Sequence, residues 1–148
     1  VALVTLAVFL PGTARSATHG TSLPFKEYSA GHVTINLVTG ELHTSGLPTP
    51  YSHMGLHTSE SVGYAIPDGS GGFDVFANVT GTAANGDHLF GTLTNDLLVF
   101  TGGSGRFEGA TGYLMTIWQQ NTNILISGGI LSIDFEQYSE GVLNLNRP

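Results

Sequence analysis

A segment near the middle of the chain places one acidic residue among alternating apolar and polar side chains. In YSHMGLHTSESVGYAI (residues 51–66) the even positions carry Ser52, Met54, Leu56, Thr58, Glu60, Val62, Tyr64 and Ile66. Side chains two apart share a strand face, and because this face is the more apolar one, we expect it to line an interior. A carboxyl group in an apolar interior can act as a general acid or base. The pattern predicts Glu60 and Tyr64 as candidate catalytic residues; the alternative for Glu60 is a rim position or a pair with Arg106.

Aromatic side chains are the best candidates for contacts with a ligand. The candidates are Phe76, Phe90, Tyr113, Trp118 and Phe135. They fall in different predicted strands, so they could converge on one pocket. The alternative is ordinary core packing, because side chains alone can fill a small barrel.

Histidines raise the question of a metal site; they stand at positions 19, 32, 43, 53, 57 and 88. His53 and His57 share a strand face but are about 13 Å apart along it, too far for one ion unless another strand contributes. Asp74 and Asp87 could supply oxygen ligands, but no spacing here is diagnostic of a metal site. We predict no metal and no cofactor, and keep a His-based metalloenzyme as an alternative.

The segment FTGGSGRFEGATGY (residues 100–113) is either a phosphate-binding loop or a strand corner. A phosphate-binding loop needs Gly-x-x-x-x-Gly-Lys-Ser/Thr before a helix, whereas this segment has no lysine and continues as YLMTIW, which alternates like a strand. Glycines also supply positive φ and close backbone approach where strands turn. We predict a corner with at least one glycine at positive φ, a structural Arg106 that can pair with Glu108, and Phe107 as a plug.

The composition favours one all-β domain. The chain has 148 residues, 21 of them Gly, and only 10% are charged, which suits short strands joined by tight turns rather than helices. The net charge of −7, with four Lys and Arg in all, argues against nucleic-acid binding, because a phosphate backbone would be repelled. Without cysteine the chain has neither disulfides nor thiolate chemistry.

The first residues, VALVTLAVFLPGTARSA (1–17), have the character of a secretory signal. An apolar run ends at Pro11 and Gly12 and is followed by small residues. A membrane-spanning helix needs about twenty apolar residues, so stable membrane insertion is not predicted. We predict a signal over 1–17 that lacks its true start, a single barrel domain over 18–148, and a secreted or periplasmic location. The alternative is an N-terminal barrel strand.

Turn signals divide the remainder into about eight strands. PDGSGG (67–72) and ANGD (84–87) are typical turns, HLFGTLTNDLLVF (88–100) is predicted as one return strand, and NTN (121–123) is predicted as a turn. No stretch has sustained helical periodicity. Hairpin order at this spacing indicates an antiparallel up-and-down β-barrel, with a sandwich as the alternative.

The corner GGSGRFEGATG (102–112) resembles the Gly-Gly-Thr-Gly-Arg-Phe-x-x-Ala-x-Gly form of allene oxide cyclase-like and dirigent-like barrels. SHMG (52–55) and AANGDHLFG (83–91) look like segments of bacterial, exported members of that group. The resemblance covers most of residues 24–135 and implies an eight-stranded antiparallel, calycin-like barrel with a mainly apolar lumen.

The resemblance also implies a function. Its characterised relatives guide a reactive small molecule without a cofactor, so we expect an apolar small-molecule ligand and cyclisation or isomerisation. Relatives form dimers or trimers, and a homodimer or homotrimer is the corresponding expectation. The alternative is a non-catalytic barrel that acts through its outer face or its oligomer.

Overall fold

The computed structural model describes residues 20–49 and 54–146; the predicted signal and His53 lie outside the described residues. The strands are β1 (Thr21–Asn36), β2 (Glu41–Thr49), β3 (His57–Pro67), β4 (Phe73–Ala83), β5 (His88–Thr94), β6 (Leu97–Gly103), β7 (Thr111–Ser127) and β8 (Ile130–Leu145). A short 3-10 turn, Gly105–Phe107, lies between β6 and β7. The predicted all-β class is confirmed.

The strands close into a barrel in which each one pairs antiparallel with its neighbours in the chain, and β8 returns to β1. The closing ladder runs from Thr21 opposite Leu145 to Asn36 opposite Ile130. Because consecutive strands are also neighbours in space, short hairpin turns suffice to connect them. The predicted eight-stranded antiparallel up-and-down barrel is confirmed, and the sandwich alternative is wrong.

Two predicted strand boundaries are wrong. The return strand expected over 88–100 is divided into β5 and β6 at Asn95, which has positive φ (51°) and accepts a hydrogen bond from the backbone N–H of Val75. The turn expected at 121–123 is instead an irregularity within β7, where Asn123 has φ of 48°. The chain reverses later, at Gly128 and Gly129, both at positive φ. In both cases an asparagine adopts left-handed backbone. Asn95 interrupts a segment that was predicted to be one strand, whereas Asn123 lies within a strand where a turn was predicted.

An apolar core closes one end of the barrel. It consists of Phe25, Met54, Ala83, Leu89, Phe100, Phe107, Ala110, Leu114, Leu143 and Leu145. The rings of Phe25 and Phe100 meet edge to face with their centroids 5.6 Å apart, a favourable aromatic geometry. Phe107 enters this core from the 3-10 turn and is fully buried, as the prediction of a plug requires. A second cluster, around Ile35, Leu42 and Leu131, lies toward the other end.

The glycine-rich segment is a corner. It leaves β6, makes the 3-10 turn and enters β7, and several of its glycines have positive φ, Gly105 and Gly112 among them. At Gly112, whose φ is 126°, a Cβ would overlap the carbonyl oxygen of Val142 on β8. The predicted need for glycine backbone geometry is therefore confirmed.

Arg106 ties the corner to the rest of the closed end. Its guanidinium donates a hydrogen bond to the carbonyl oxygen of Met54 at 2.6 Å, and its Nε lies 3.7 Å from Oδ2 of Asp87. The guanidinium carbon also lies 4.7 Å from the centroid of the Phe107 ring. The suggested pairs of Arg106 with Glu108 or Glu60 are wrong, because Asp87 in the β4–β5 turn is the carboxylate that the corner brings to it.

We expect Arg106→Ala to lower the free energy of unfolding by about 1 kcal/mol, since a charge-assisted hydrogen bond to a backbone carbonyl is lost and the ion pair is half exposed. Urea unfolding followed by Trp118 fluorescence measures this loss. Arg106→Lys keeps the charge without the planar fork and should give an intermediate value. A variant that unfolds like the wild type but no longer binds a lumen ligand would instead make Arg106 a site residue.

Candidate functional site

The barrel encloses a cavity of about 770 Å³. On the side of β4, β5 and β6 its wall is apolar, formed by residues such as Val75, Val79, Leu93 and Leu98. The strands β8, β1, β2 and β3 contribute both polar and apolar side chains to the lining. The polar ones are Gln137, Ser139, Glu27, Ser29, Thr44, His57, Ser59 and Ser61, and the apolar ones include Val33, Ile35, Leu131, Ile133 and Phe135. A cavity of this volume has room for a small organic molecule.

The structure reverses the predicted facing of β3. His57, Ser59 and Ser61 line the cavity, whereas Glu60 is exposed and Tyr64 is 56% exposed on the outer face. The prediction that Glu60 and Tyr64 line the lumen is therefore wrong. It failed because the outer face of β3 carries the larger apolar side chains, while the interior face carries the small residues that a narrow barrel needs.

Four of the five aromatic candidates also lie outside the lumen. Phe76, Phe90, Tyr113 and Trp118 are half exposed on the outer face, and Phe135 alone of the five lines the cavity. Tyr64 and Phe76 are opposite each other on β3 and β4. The predicted convergence of these rings on one pocket is wrong, since alternation along each strand sends them outward.

Glu27 and His57 form a buried pair inside the cavity. Oε1 of Glu27 on β1 is 3.0 Å from Nε2 of His57 on β3, and the two side chains are only 12% and 3% exposed. His57 was predicted from the sequence only as a possible metal ligand, and Glu27 was not predicted as a site residue. The small residues that alternate after His57 on β3 were the available signal that this face is the interior one.

Both ring nitrogens of His57 lie within hydrogen-bonding distance of an oxygen atom. Its Nδ1 is 3.0 Å from the carbonyl oxygen of Gly55, which can only accept, so Nδ1 carries a proton. The contact between Nε2 and Glu27 must then hold one further proton, donated either by an imidazolium or by a protonated carboxyl. The other oxygen of Glu27 has no hydrogen-bond partner among the described residues. The pair can therefore give a proton to a molecule in the cavity or take one from it.

Three serine hydroxyls in the cavity have no hydrogen-bond partner among residues 20–49 and 54–146. Ser29, Ser61 and Ser139 are 5%, 7% and 2% exposed, and none forms a hydrogen bond with its side chain to another described residue. Ser139 lies opposite Glu27 in the β1–β8 ladder, so its hydroxyl is close to the acid–imidazole pair. Buried polar groups are normally hydrogen-bonded, and unpartnered ones call for a specific explanation such as a bound molecule or water.

The cavity opens through the side of the barrel, where β7 extends beyond β6. The β6–β7 ladder ends at Leu97 opposite Met115, while β7 continues along β8 to Ser127. Beyond Met115, the one further backbone hydrogen bond between β7 and the β5–β6 turn among the described residues runs from the N–H of Thr116 to the carbonyl oxygen of Asp96. Further cavity-lining residues of β7, such as Gln119 and Asn121, thus face an opening.

Acidic residues lie at this opening. Asp68, Asp74 and Asp96, from β4 and the adjacent turns, line the cavity and are exposed to solvent. Asp68 accepts hydrogen bonds from the backbone N–H groups of Ser70 and Gly72, and these bonds, the Ser70 one first, hold its pKa below the ordinary value. The opening therefore carries negative charge at neutral pH.

Within residues 20–49 and 54–146, no group of three His, Asp or Glu side chains is placed to hold a metal ion. The same residues include no helix with the length and apolar character that crossing a membrane requires.

Fold and cavity together define an eight-stranded β-barrel with a laterally open, partly polar lumen. No family model matches the chain, and no curated protein matches it. Among solved structures, the pterocarpan synthase dirigent protein is similar, with 13% sequence identity and a TM-score of 0.47 over 93% of this chain and 98% of that one.

Proposed function

We propose that this protein binds a small molecule with an apolar body in its lumen and guides the cyclisation or isomerisation of that molecule without a cofactor, as a barrel of the dirigent-like and allene oxide cyclase-like type. The observation that carries the proposal is the cavity of about 770 Å³ with the buried Glu27–His57 pair in its wall. The exported location predicted from residues 1–17 belongs to the same proposal.

The chemistry would combine confinement with proton transfer. The apolar wall of β4–β6 selects one folded conformer of the ligand, which removes rotational entropy before the reaction. Glu27 takes a proton from one atom of the ligand and a proton returns at another, so the reaction is balanced without an oxidant or reductant. His57 holds the Glu27 carboxyl group in place through their hydrogen bond. His57 is therefore a positioning residue in this reaction.

Binding in the lumen can be tested with an apolar fluorescent probe. We expect one probe to bind per folded chain, and we expect Val79→Trp to weaken it by about tenfold or more, because the indole would occupy the cavity opposite Ser61. Trp118→Ala is the matched control: Trp118 is 45% exposed on the outer face, so its loss should leave binding unchanged. Equal binding by the wild type and Val79→Trp would show that the probe does not occupy the lumen.

The outer face supports a second candidate function. Large apolar side chains are exposed there on neighbouring strands, among them Val62, Tyr64, Phe76, Val99 and Tyr113. Val99 and Tyr113 lie opposite each other on β6 and β7. Contiguous exposed apolar surface is typical of protein interfaces, so a homodimer or homotrimer, or a non-catalytic interaction role, is the alternative. Light scattering that shows a strict monomer over a wide concentration range would exclude the oligomer.

A further inference from the structure

The charge of the cavity wall distinguishes between classes of ligand. Among the described residues, its acidic lining residues are Glu27 inside and Asp68, Asp74 and Asp96 at the opening, and neither Lys nor Arg lines it. Within the same residues, His57 is the one lining side chain that could become cationic, and it is paired with Glu27. An anionic ligand would meet like charge along its whole path, which is unfavourable where apolar walls reduce screening.

The three carboxylates at the opening have no cationic partner among the described residues, so they can bind a positively charged group. Asp68 is held ionised by the N–H groups of its turn. Asp74 accepts a hydrogen bond from the side chain of Asn95 at 3.3 Å. The side chain of Asp96 is exposed and has neither a hydrogen bond nor an ion pair within the described residues. The described cations lie elsewhere: Lys26 binds Glu140, and Arg106 is at the closed end.

Deeper in the same cavity, the hydroxyls of Ser29, Ser61 and Ser139 have no partner within the described ranges, and they call for hydrogen-bonding groups from whatever occupies the cavity. They come from β8, β1 and β3, and the apolar side chains of β4–β6 line the same cavity. An occupant that satisfies both kinds of lining carries polar groups as well as apolar surface.

We infer that the lumen takes a cationic amphiphile, with its apolar body against β4–β6, its uncharged polar groups toward the serine hydroxyls, and an ammonium or amidinium group at the carboxylates of the opening. This inference rests on the proposed function, since it names the ligand class of the same cavity. Opposite charge at the opening also concentrates such ligands near it and raises their association rate.

Three probes test the inference. Each has the same dansyl fluorophore and short alkyl chain, ending in an ammonium, a hydroxyl or a carboxylate group. We expect the ammonium probe to bind about tenfold or more tightly than the carboxylate probe at low salt, with the hydroxyl probe between them, and the difference to shrink as salt is added. If none of the three binds, the proposed function fails and this inference fails with it. If all three bind alike, lumen binding stands and the inference is overturned.

A charge-matched variant separates the opening from the net charge of the protein. Asp74→Asn with Asp96→Asn removes two carboxylates at the opening with little change in shape, and should reduce the ammonium-to-carboxylate preference by about fivefold. Glu60→Gln with Glu108→Gln is the control, because it also removes two carboxylates, and both residues are exposed and do not line the cavity. It should leave the preference unchanged. If the double variant keeps the full preference while remaining folded by circular dichroism, the ammonium group does not sit at this opening and the inference is wrong.

Discussion

His57→Phe should destabilise the barrel by about 3 kcal/mol or more, because it leaves the Glu27 carboxyl group buried without its imidazole partner. Both side chains are almost inaccessible, and Oε1 of Glu27 lies 3.0 Å from His57. Removing one member of a buried pair typically has a larger effect than replacing both by apolar residues. Urea unfolding at pH 7 measures the loss.

A double-mutant cycle gives this prediction its control. Glu27→Met removes the carboxyl group, and the pair of substitutions together should recover much of the stability that His57→Phe loses, since no uncompensated charge remains. The same double variant should still bind an apolar probe in the lumen, but it should lack any proton-transfer activity. If the two single effects simply add, the two side chains do not depend on each other and the pair is not the unit described above.

Gly141→Ala should destabilise the barrel by about 2–3 kcal/mol, although Gly141 does not have positive φ. A Cβ at this position on β8 would overlap the carbonyl oxygen of Tyr113 and come within 2.9 Å of Cα of Leu114, both on β7. These are backbone atoms, which cannot move aside without separating the two strands. Thermal or urea unfolding followed by circular dichroism measures the effect.

Gly20→Ala is the matched control for Gly141→Ala. The nearest atom to a Cβ at Gly20 is the carbonyl oxygen of Leu145 at 3.7 Å, an ordinary contact, so this variant should change stability little. Similar unfolding curves for Gly141→Ala and the wild type would mean that β7 and β8 are farther apart in solution than the structure places them.

The fold was predictable because its signals are local. Asn-Gly in the β4–β5 turn and the glycine-rich corner mark positions where only certain residues fit the backbone, and both lie at strand ends. Asn95 and Asn123 were misassigned because an asparagine at positive φ can either end a strand or sit within an irregular one, and only the pairing partner decides which.

The site was much less predictable, since it depends on which face of each strand is the interior. On β3 the face that carries Val62 and Tyr64 has more apolar residues, so it was predicted to be the interior face, yet it is exposed in the structure. Glu27 and His57 are thirty positions apart in sequence, and the approach of β1 to β3, not any motif, makes them partners. Residues that are so far apart in sequence do not form a motif, so a single sequence cannot reveal that they are in contact.

The extension of β7 past β6 affects how fast a ligand can exchange. Because the described residues leave a lateral opening between β7 and the β5–β6 turn, a ligand can come and go without any strand separating from its neighbour. Residence time is then governed by contacts with the walls and not by opening of the barrel. A substitution that only loosens the closed end, such as Arg106→Ala, should lower the melting temperature and leave the dissociation rate of a lumen probe unchanged.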